Sequence, residues 1–137
     1  MSSPKNAQNI ITVALAAVIC VSFSVEAVAH DDDTLYSPAY GACIKASGGV
    51  TFDMADCIRG ELVVQDRKLN KAYRALQKTL TKERRDQLIK AQRAWIAFRD
   101  ANCNFHFDPE GGSIARLNAE YCMLSTTAHR AKELEAL

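Results

Sequence analysis

Residues 53–80 read DMADCIRGELVVQDRKLNKAYRALQKTL, and the spacing of their apolar side chains decides the fold. Ile58, Leu62, Leu69, Tyr73, Leu76 and Leu80 follow one another in steps of three, four and seven, which places all six on one stripe of an α-helix. Thr51 or Asp53 is positioned to cap that helix, and Asp56 sits favourably in its first turn. No proline interrupts the run, and Gly60 costs about 1 kcal/mol relative to alanine, which a long helix tolerates.

Working outward towards the C-terminus, Thr81 is a cap for a second helix, with Glu83 in its first turn. Leu88, Ala91, Trp95, Phe98 and Asn102 share a face of it, and it is expected to end near Cys103 or Asn104. Asn104 to Gly112 (NFHFDPEGG) has the composition of a loop. Ser113 is then the expected cap of a third helix, whose stripe reads Ile114, Leu117, Tyr121, Leu124 and Ala128, with Leu134 close by. No alternation of useful length suggests a strand. The expected fold is all-α, a three-helix antiparallel bundle made of a long helical hairpin plus a third helix.

Towards the N-terminus, Ser47-Gly48-Gly49 is a loop signal, and residues 42–46 allow one helical turn. Residues 30–41 are short, acidic and polar, and read as a flexible lead-in. Before them lies a different kind of segment. Lys5 precedes the apolar run Ile10 to Val25, IITVALAAVICVSFSV, and Ala27-Val28-Ala29 supplies small residues at a cleavage position. A basic start, a short apolar core and an A-x-A site describe a secretory signal peptide over residues 1–29, cleaved after Ala29. The run has 16 residues, short of the ~20 that a spanning helix needs. Cys20 is preceded by Ile19, a poor context for lipid attachment, so no stable membrane anchor is expected after cleavage. The domain proper is residues 42–137, and its location is periplasmic or secreted.

Cleavage removes Lys5 and Glu26 and leaves 16 basic and 15 acidic side chains, so the net charge stays at +1. A balance of that kind supplies no whole-molecule field for nucleic acid or an anionic membrane, and nucleic acid is not an expected partner. Four cysteines remain, Cys43, Cys57, Cys103 and Cys122, and an even number in a small exported chain reads as two disulfides. A metal site is the rival reading, but no C-x-x-C pair exists, and Cys103-x-x-His106 stands alone. No metal and no cofactor are expected. Cys57 lies 24 residues before Thr81 and Cys103 lies 22 after it. At about 1.5 Å per residue along an antiparallel hairpin the two should meet, which predicts the bridges Cys57–Cys103 and Cys43–Cys122.

Polar side chains accompany the apolar stripes: Asp66 and Asn70 on the first helix, Gln92 and Arg99 on the second, Thr126 and Arg130 on the third. In the hairpin register Asp66 lies opposite Ala94, with Arg93 adjacent and Arg99 within reach only by extending back. Such a set is either an ion-pair and amide network that fixes helix register, or an acid/base pair in a cleft. Nucleophilic catalysis has no support: the cysteines are committed, no G-x-S-x-G elbow exists, and His30, His106 and His129 are scattered. The chain is not expected to be an enzyme.

Taken together, Asp66-x-x-Leu69-Asn70-x-x-Tyr73, then Ala91-Gln92-Arg93-Ala94-Trp95-Ile96-x-Phe98-Arg99-Asp100-Ala101-x-Cys103, then Gly111-Gly112-Ser113, Cys122, Thr126 and Arg130 resemble the LprI-type lysozyme inhibitor domain, over residues 43–134. The resemblance implies an exported helical domain that binds and inhibits a lysozyme. It also implies that Asp66, Asn70, Tyr73, Gln92, Trp95, Arg99, Thr126 and Arg130 form a motif, more in the manner of a folding signature than of an inhibitory surface. The loop bearing Phe105, His106, Phe107, Asp108 and Glu110 is the candidate partner-binding element: aromatics supply contact area, and acids suit a cationic enzyme. Alternatively Phe105 and Phe107 plug the end of the bundle. The competing function is a periplasmic interaction or envelope-stress module for another envelope protein, without lysozyme inhibition, docking through the basic stretch Lys82, Arg84, Arg85 and Lys90.

Overall fold

A computed structural model describes residues 35–137. The expected signal peptide, Cys20, His30 and the first residues of the lead-in lie outside the described residues. Four helices follow in order: α1 (Pro38–Ala46), α2 (Thr51–Thr79), α3 (Lys82–Phe105) and α4 (Gly112–Glu135). The described residues are all-helical, as the periodicity predicts, but with one helix more than expected.

The additional helix is α1, built on residues read as lead-in and a single turn. Its start is made by local chemistry: Ser37 is the N-cap, its hydroxyl accepts from the Tyr40 amide at 3.2 Å, and Pro38 occupies the first turn. Nothing within α1 is itself buried, so it carries no apolar stripe that periodicity could detect. It is held from outside. Glu61 of α2, itself buried, accepts from the Ser37 amide at 2.9 Å and the Ser37 hydroxyl at 2.5 Å. Gln65 donates to Glu61 at 2.6 Å and to the Leu35 carbonyl at 3.0 Å.

Thr81 caps α3 as expected, accepting from the Arg84 amide at 3.3 Å. The other two caps differ from expectation. Val50 precedes α2 and Gly111 precedes α4, neither with a side-chain cap bond. Thr51 and Ser113 therefore sit one or two residues inside their helices.

Up, down and up again, α2, α3 and α4 form the bundle, so α2 and α4 run parallel and α3 antiparallel to both. The order of contacts reports this register. Ala55 and Ile58 pack with Leu117 and Leu124 at one end, and Leu69 and Ala72 pack with Ala131 and Leu134 at the other. Arg59 joins Glu120 at the first of these ends, at 3.1 Å. The main packing interface is α2 on α4. Helix α3 lies against α4 through Gln92, Trp95, Arg99 and Cys103, of which only Gln92 and Cys103 are buried. Phe98, expected on the inward face, is 61% exposed, and Ile114 and Tyr121 are also exposed. A shift of one residue turns a helical side chain by about 100°, and here Arg99 and Cys103 face α4 while Phe98 turns to solvent.

The two disulfides are Cys43–Cys57 and Cys103–Cys122, not the expected Cys57–Cys103 and Cys43–Cys122. Matching distances along the hairpin axis say nothing about which way around the helix each sulfur points. Cys57 faces α1, whose Cys43 Cα is 5.7 Å away, and Cys103 faces α4, whose Cys122 Cα is 5.4 Å away. Each bridge therefore closes a short loop, of 14 and 19 residues, and contributes about 3 kcal/mol in the chain-entropy model.

Candidate functional site

The α3–α4 hairpin ends in a tip that the sequence singles out, and the chain builds it from local bonds. Phe105 is the last residue of α3 and is 84% exposed, and Phe107 is 41% exposed. Neither plugs the end of the bundle. The His106 ring stands edge-on to Phe105 with centroids 6.2 Å apart. The Phe107 amide donates to the Asn104 carbonyl at 3.0 Å, and Asp108 folds the tip back by accepting from the Glu110 amide on its side chain at 2.9 Å and from the Gly111 amide on its carbonyl at 3.0 Å. A side chain at Gly111 would put its Cβ 2.6 Å from that of Ala115, so the turn closes only on glycine. The Cys103–Cys122 bridge fixes the base of the hairpin. The result is a shaped, acidic tip: Asp108 and Glu110 are exposed and make no ion pair among the described residues.

Six of the eight motif side chains come together in a second place. Asp66, Asn70 and Tyr73 of α2 and Gln92, Trp95 and Arg99 of α3 line an open groove of about 470 Å³ between the two helices. On the α2 wall, Asn70 donates to the Asp66 carboxylate at 3.0 Å, and Gln77 donates to the Tyr73 hydroxyl at 3.1 Å. On the α3 wall, Arg99 donates to Asp100 at 2.7 and 2.9 Å and to the Thr127 hydroxyl at 3.4 Å. Its guanidinium lies 5.1 Å from the centre of the Trp95 ring, and that of Arg130 lies 5.8 Å from it. Arg130 Nε donates to the side-chain amide oxygen Oε1 of the buried Gln92 at 3.0 Å.

Thr126, the remaining motif residue, sits beside the Cys103–Cys122 bridge, with its hydroxyl 4.0 Å from either sulfur. No ion pair crosses from Asp66 to Arg93 or Arg99 among the described residues; the two walls are satisfied separately. On α3 and α4 two guanidiniums, an indole and an amide of the motif stack and hydrogen-bond where one helix lies on the other. Sequence inspection did not single out Glu61, Gln65 or Thr127, which are buried polar side chains in the same bundle. Their signal was a polar residue at helical spacing from the apolar stripe.

His106 and His129 are both exposed and lie on different elements. No group of three or more His, Cys, Asp or Glu side chains is arranged to hold a metal ion among the described residues, and no helix there is long and apolar enough to cross a membrane.

Comparison with known proteins follows the same boundaries. The family model described as lysozyme inhibitor LprI matches residues 43–134, from within α1 to the end of α4 but for its last residue. An uncharacterised protein of Rhizobium meliloti (strain 1021) is 33% identical over an alignment of 99 residues, covering 62% of this chain and 71% of its own. No solved structure matches the chain. With the motif residues gathered in one bundle and the family match running from Cys43 through Leu134, the chain belongs to the LprI lysozyme inhibitor family.

Proposed function

We propose that this protein is exported, cleaved after Ala29, and binds and inhibits a lysozyme in the periplasm or outside the cell, protecting the cell wall. The α3–α4 tip is the inhibitory element. The observation that carries this reading is the exposure of Phe105, 84%, on a tip whose backbone is already folded by Asp108 and Gly111. A large aromatic held in water on a pre-shaped turn loses little further entropy on docking. The neighbouring carboxylates of Asp108 and Glu110 suit the cationic surface of a lysozyme and would speed the encounter. Two disulfides and the family match support export and the inhibitor class.

The basic stretch considered as an alternative docking face is largely engaged in contacts within the protein. Lys82 pairs with Asp86 at 3.2 Å, Arg84 donates to Gln87 at 2.5 Å, and Arg85 donates to the Gln77 and Leu80 carbonyls at 3.0 and 3.2 Å. It belongs to the α2–α3 corner.

The test is a cell-wall lysis assay in which the processed, oxidised protein is titrated against c-, g- and i-type lysozymes. Saturable inhibition of one class is expected, lost when Phe105, Asp108 and Glu110 are replaced together while the helical signal is kept. If a large molar excess leaves all three classes untouched, the inhibitor reading fails, and the domain is an envelope interaction module for another partner.

A further inference from the structure

Charge on this protein is balanced in sum but not in space. Along α2 the acids Asp53, Asp56, Glu61 and Asp66 all precede Arg67, and no acid follows until Glu83. The intervening stretch carries Arg67, Lys68, Lys71, Arg74 and Lys78 on α2 and Lys82 at the start of α3. Arg67, Lys71, Arg74 and Lys78 are spaced by four, three and four, so at 100° per residue they fall within about 60° of arc and form a row about 16 Å long. On the same helical wheel the row lies opposite Leu69, Ala72 and Leu76, the side chains that pack into the bundle. It therefore points straight out.

All four are exposed, and none makes a hydrogen bond or ion pair with another described residue. Their stems border an open hollow of about 540 Å³ with Asn70 and Ala75 at its base. The neighbouring helices do not neutralise it. Glu135 of α4 borders the adjoining hollow beside Lys71 without pairing to it, and Arg93 of α3, across the groove from Asn70, adds a further cation. Like charges at i, i+3 and i+4 oppose helix formation. The helix dipole offsets this only in the last turn, where Lys78 sits. The geometry of a helix thus explains Lys78 and leaves Arg67, Lys71 and Arg74 as an uncompensated row.

We propose that this face of α2 docks the protein onto an anionic phospholipid bilayer. A straight row of flexible cations on a convex helix face suits a plane of negative headgroups, and each Lys or Arg near such a plane adds its own increment of attraction. The row contains no large exposed apolar side chain, so the contact is electrostatic, peripheral and reversible by salt, without insertion into the hydrocarbon. No aromatic interleaves with the cations, unlike a surface that stacks nucleic-acid bases. The acidic tip with Asp108 and Glu110 lies at the opposite end of the bundle from the α2–α3 turn, at which the row ends, so docking leaves it clear of the membrane. The binding requires no lysozyme, and its test is independent of inhibition.

The experiment is flotation of the processed, oxidised protein with vesicles of phosphatidylglycerol and phosphatidylethanolamine, against vesicles of phosphatidylcholine alone, across a range of sodium chloride. Binding to the anionic vesicles alone is expected, falling steeply with salt. The quadruple variant Arg67→Gln, Lys71→Gln, Arg74→Gln and Lys78→Gln should bind roughly a hundredfold more weakly or worse. A control with the same charge change elsewhere, Lys45→Gln, Lys82→Gln, Lys90→Gln and Lys132→Gln, should keep most of the binding. Glutamine favours helix, so circular dichroism should be unchanged in both. Equal losses in the two variants would mean net charge rather than this face, and would overturn the proposal. So would absence of binding at low salt, equal binding to phosphatidylcholine, or binding to a soluble polyanion such as heparin with none to vesicles.

Discussion

Ser37 donates twice to the buried carboxylate of Glu61, through its backbone amide at 2.9 Å and its hydroxyl at 2.5 Å, across 24 residues of sequence. The same hydroxyl accepts from the Tyr40 amide, so one side chain both caps α1 and ties it to α2. Gln65 completes the set by bridging Glu61 to the Leu35 carbonyl. The carboxylate is thus removed from water with three donors in place, as a buried charge requires. Replacing Glu61 with alanine strands those donors and is expected to destabilise the domain by about 3 kcal/mol. Urea unfolding measures it. A loss under about 0.5 kcal/mol would mean that the N-terminal segment is not held through this carboxylate.

Arg130 and Gln92 form the equivalent contact between α3 and α4, at 3.0 Å and buried. Gln92→Ala and Arg130→Ala are each expected to cost about 2 kcal/mol, because each removes the hydrogen bond of a buried polar atom on the other. In a double-mutant cycle the two losses should fall short of adding, by about 1 kcal/mol. Additive losses would show that the pair is not coupled.

Peptide mapping of the oxidised protein under non-reducing conditions should recover Cys43 with Cys57 and Cys103 with Cys122. Replacing Cys103 and Cys122 by alanine is expected to lower stability by about 3 kcal/mol and to loosen the hairpin base. Recovery of Cys57 joined to Cys103 would overturn the α1–α2 arrangement itself.

Burial, with smaller contributions from Tyr121 and Glu61, pushes the Tyr40 phenol above its ordinary value of 10.0. A raised folded value means that the folded state holds this proton longer. The associated stability is whole below pH 10 and is lost as pH climbs from the unfolded value towards the raised folded one. The fall in denaturation midpoint between neutral and strongly alkaline pH should be smaller in Tyr40→Phe than in the parent. Identical slopes would remove Tyr40 from the account.

Phe105→Ala should leave the melting temperature unchanged, since the ring is 84% exposed, while weakening inhibition. Gly111→Ala should do the reverse of a clean deletion. Its methyl meets Ala115 and Asp108, which moves the tip and costs about 1–2 kcal/mol. If Gly111→Ala inhibits as well as the parent, the shape of the turn is irrelevant to inhibition.

The three long helices, their order and the α2–α3 turn at Thr81 were legible in the sequence, because a stripe such as Ile58, Leu62, Leu69, Tyr73 and Leu76 has the period of an α-helix. The presence of two disulfides followed from the cysteine count. The polar motif could be recognised along the chain, but its partners could not. Tertiary structure alone decided which cysteines pair, because axial register leaves the direction around the helix undetermined, and Cys57 turned towards an α1 that periodicity did not reveal. It also decided that Arg99 and Cys103 face α4 while Phe98 faces water, a choice of about 100° between adjacent residues that two nearly equal patterns left open. Likewise only the assembled bundle separates Phe105, held in solvent at a tip, from an aromatic that closes a core. Local periodicity reports that a helix has an inside. Which neighbour defines that inside is a property of the packed chain.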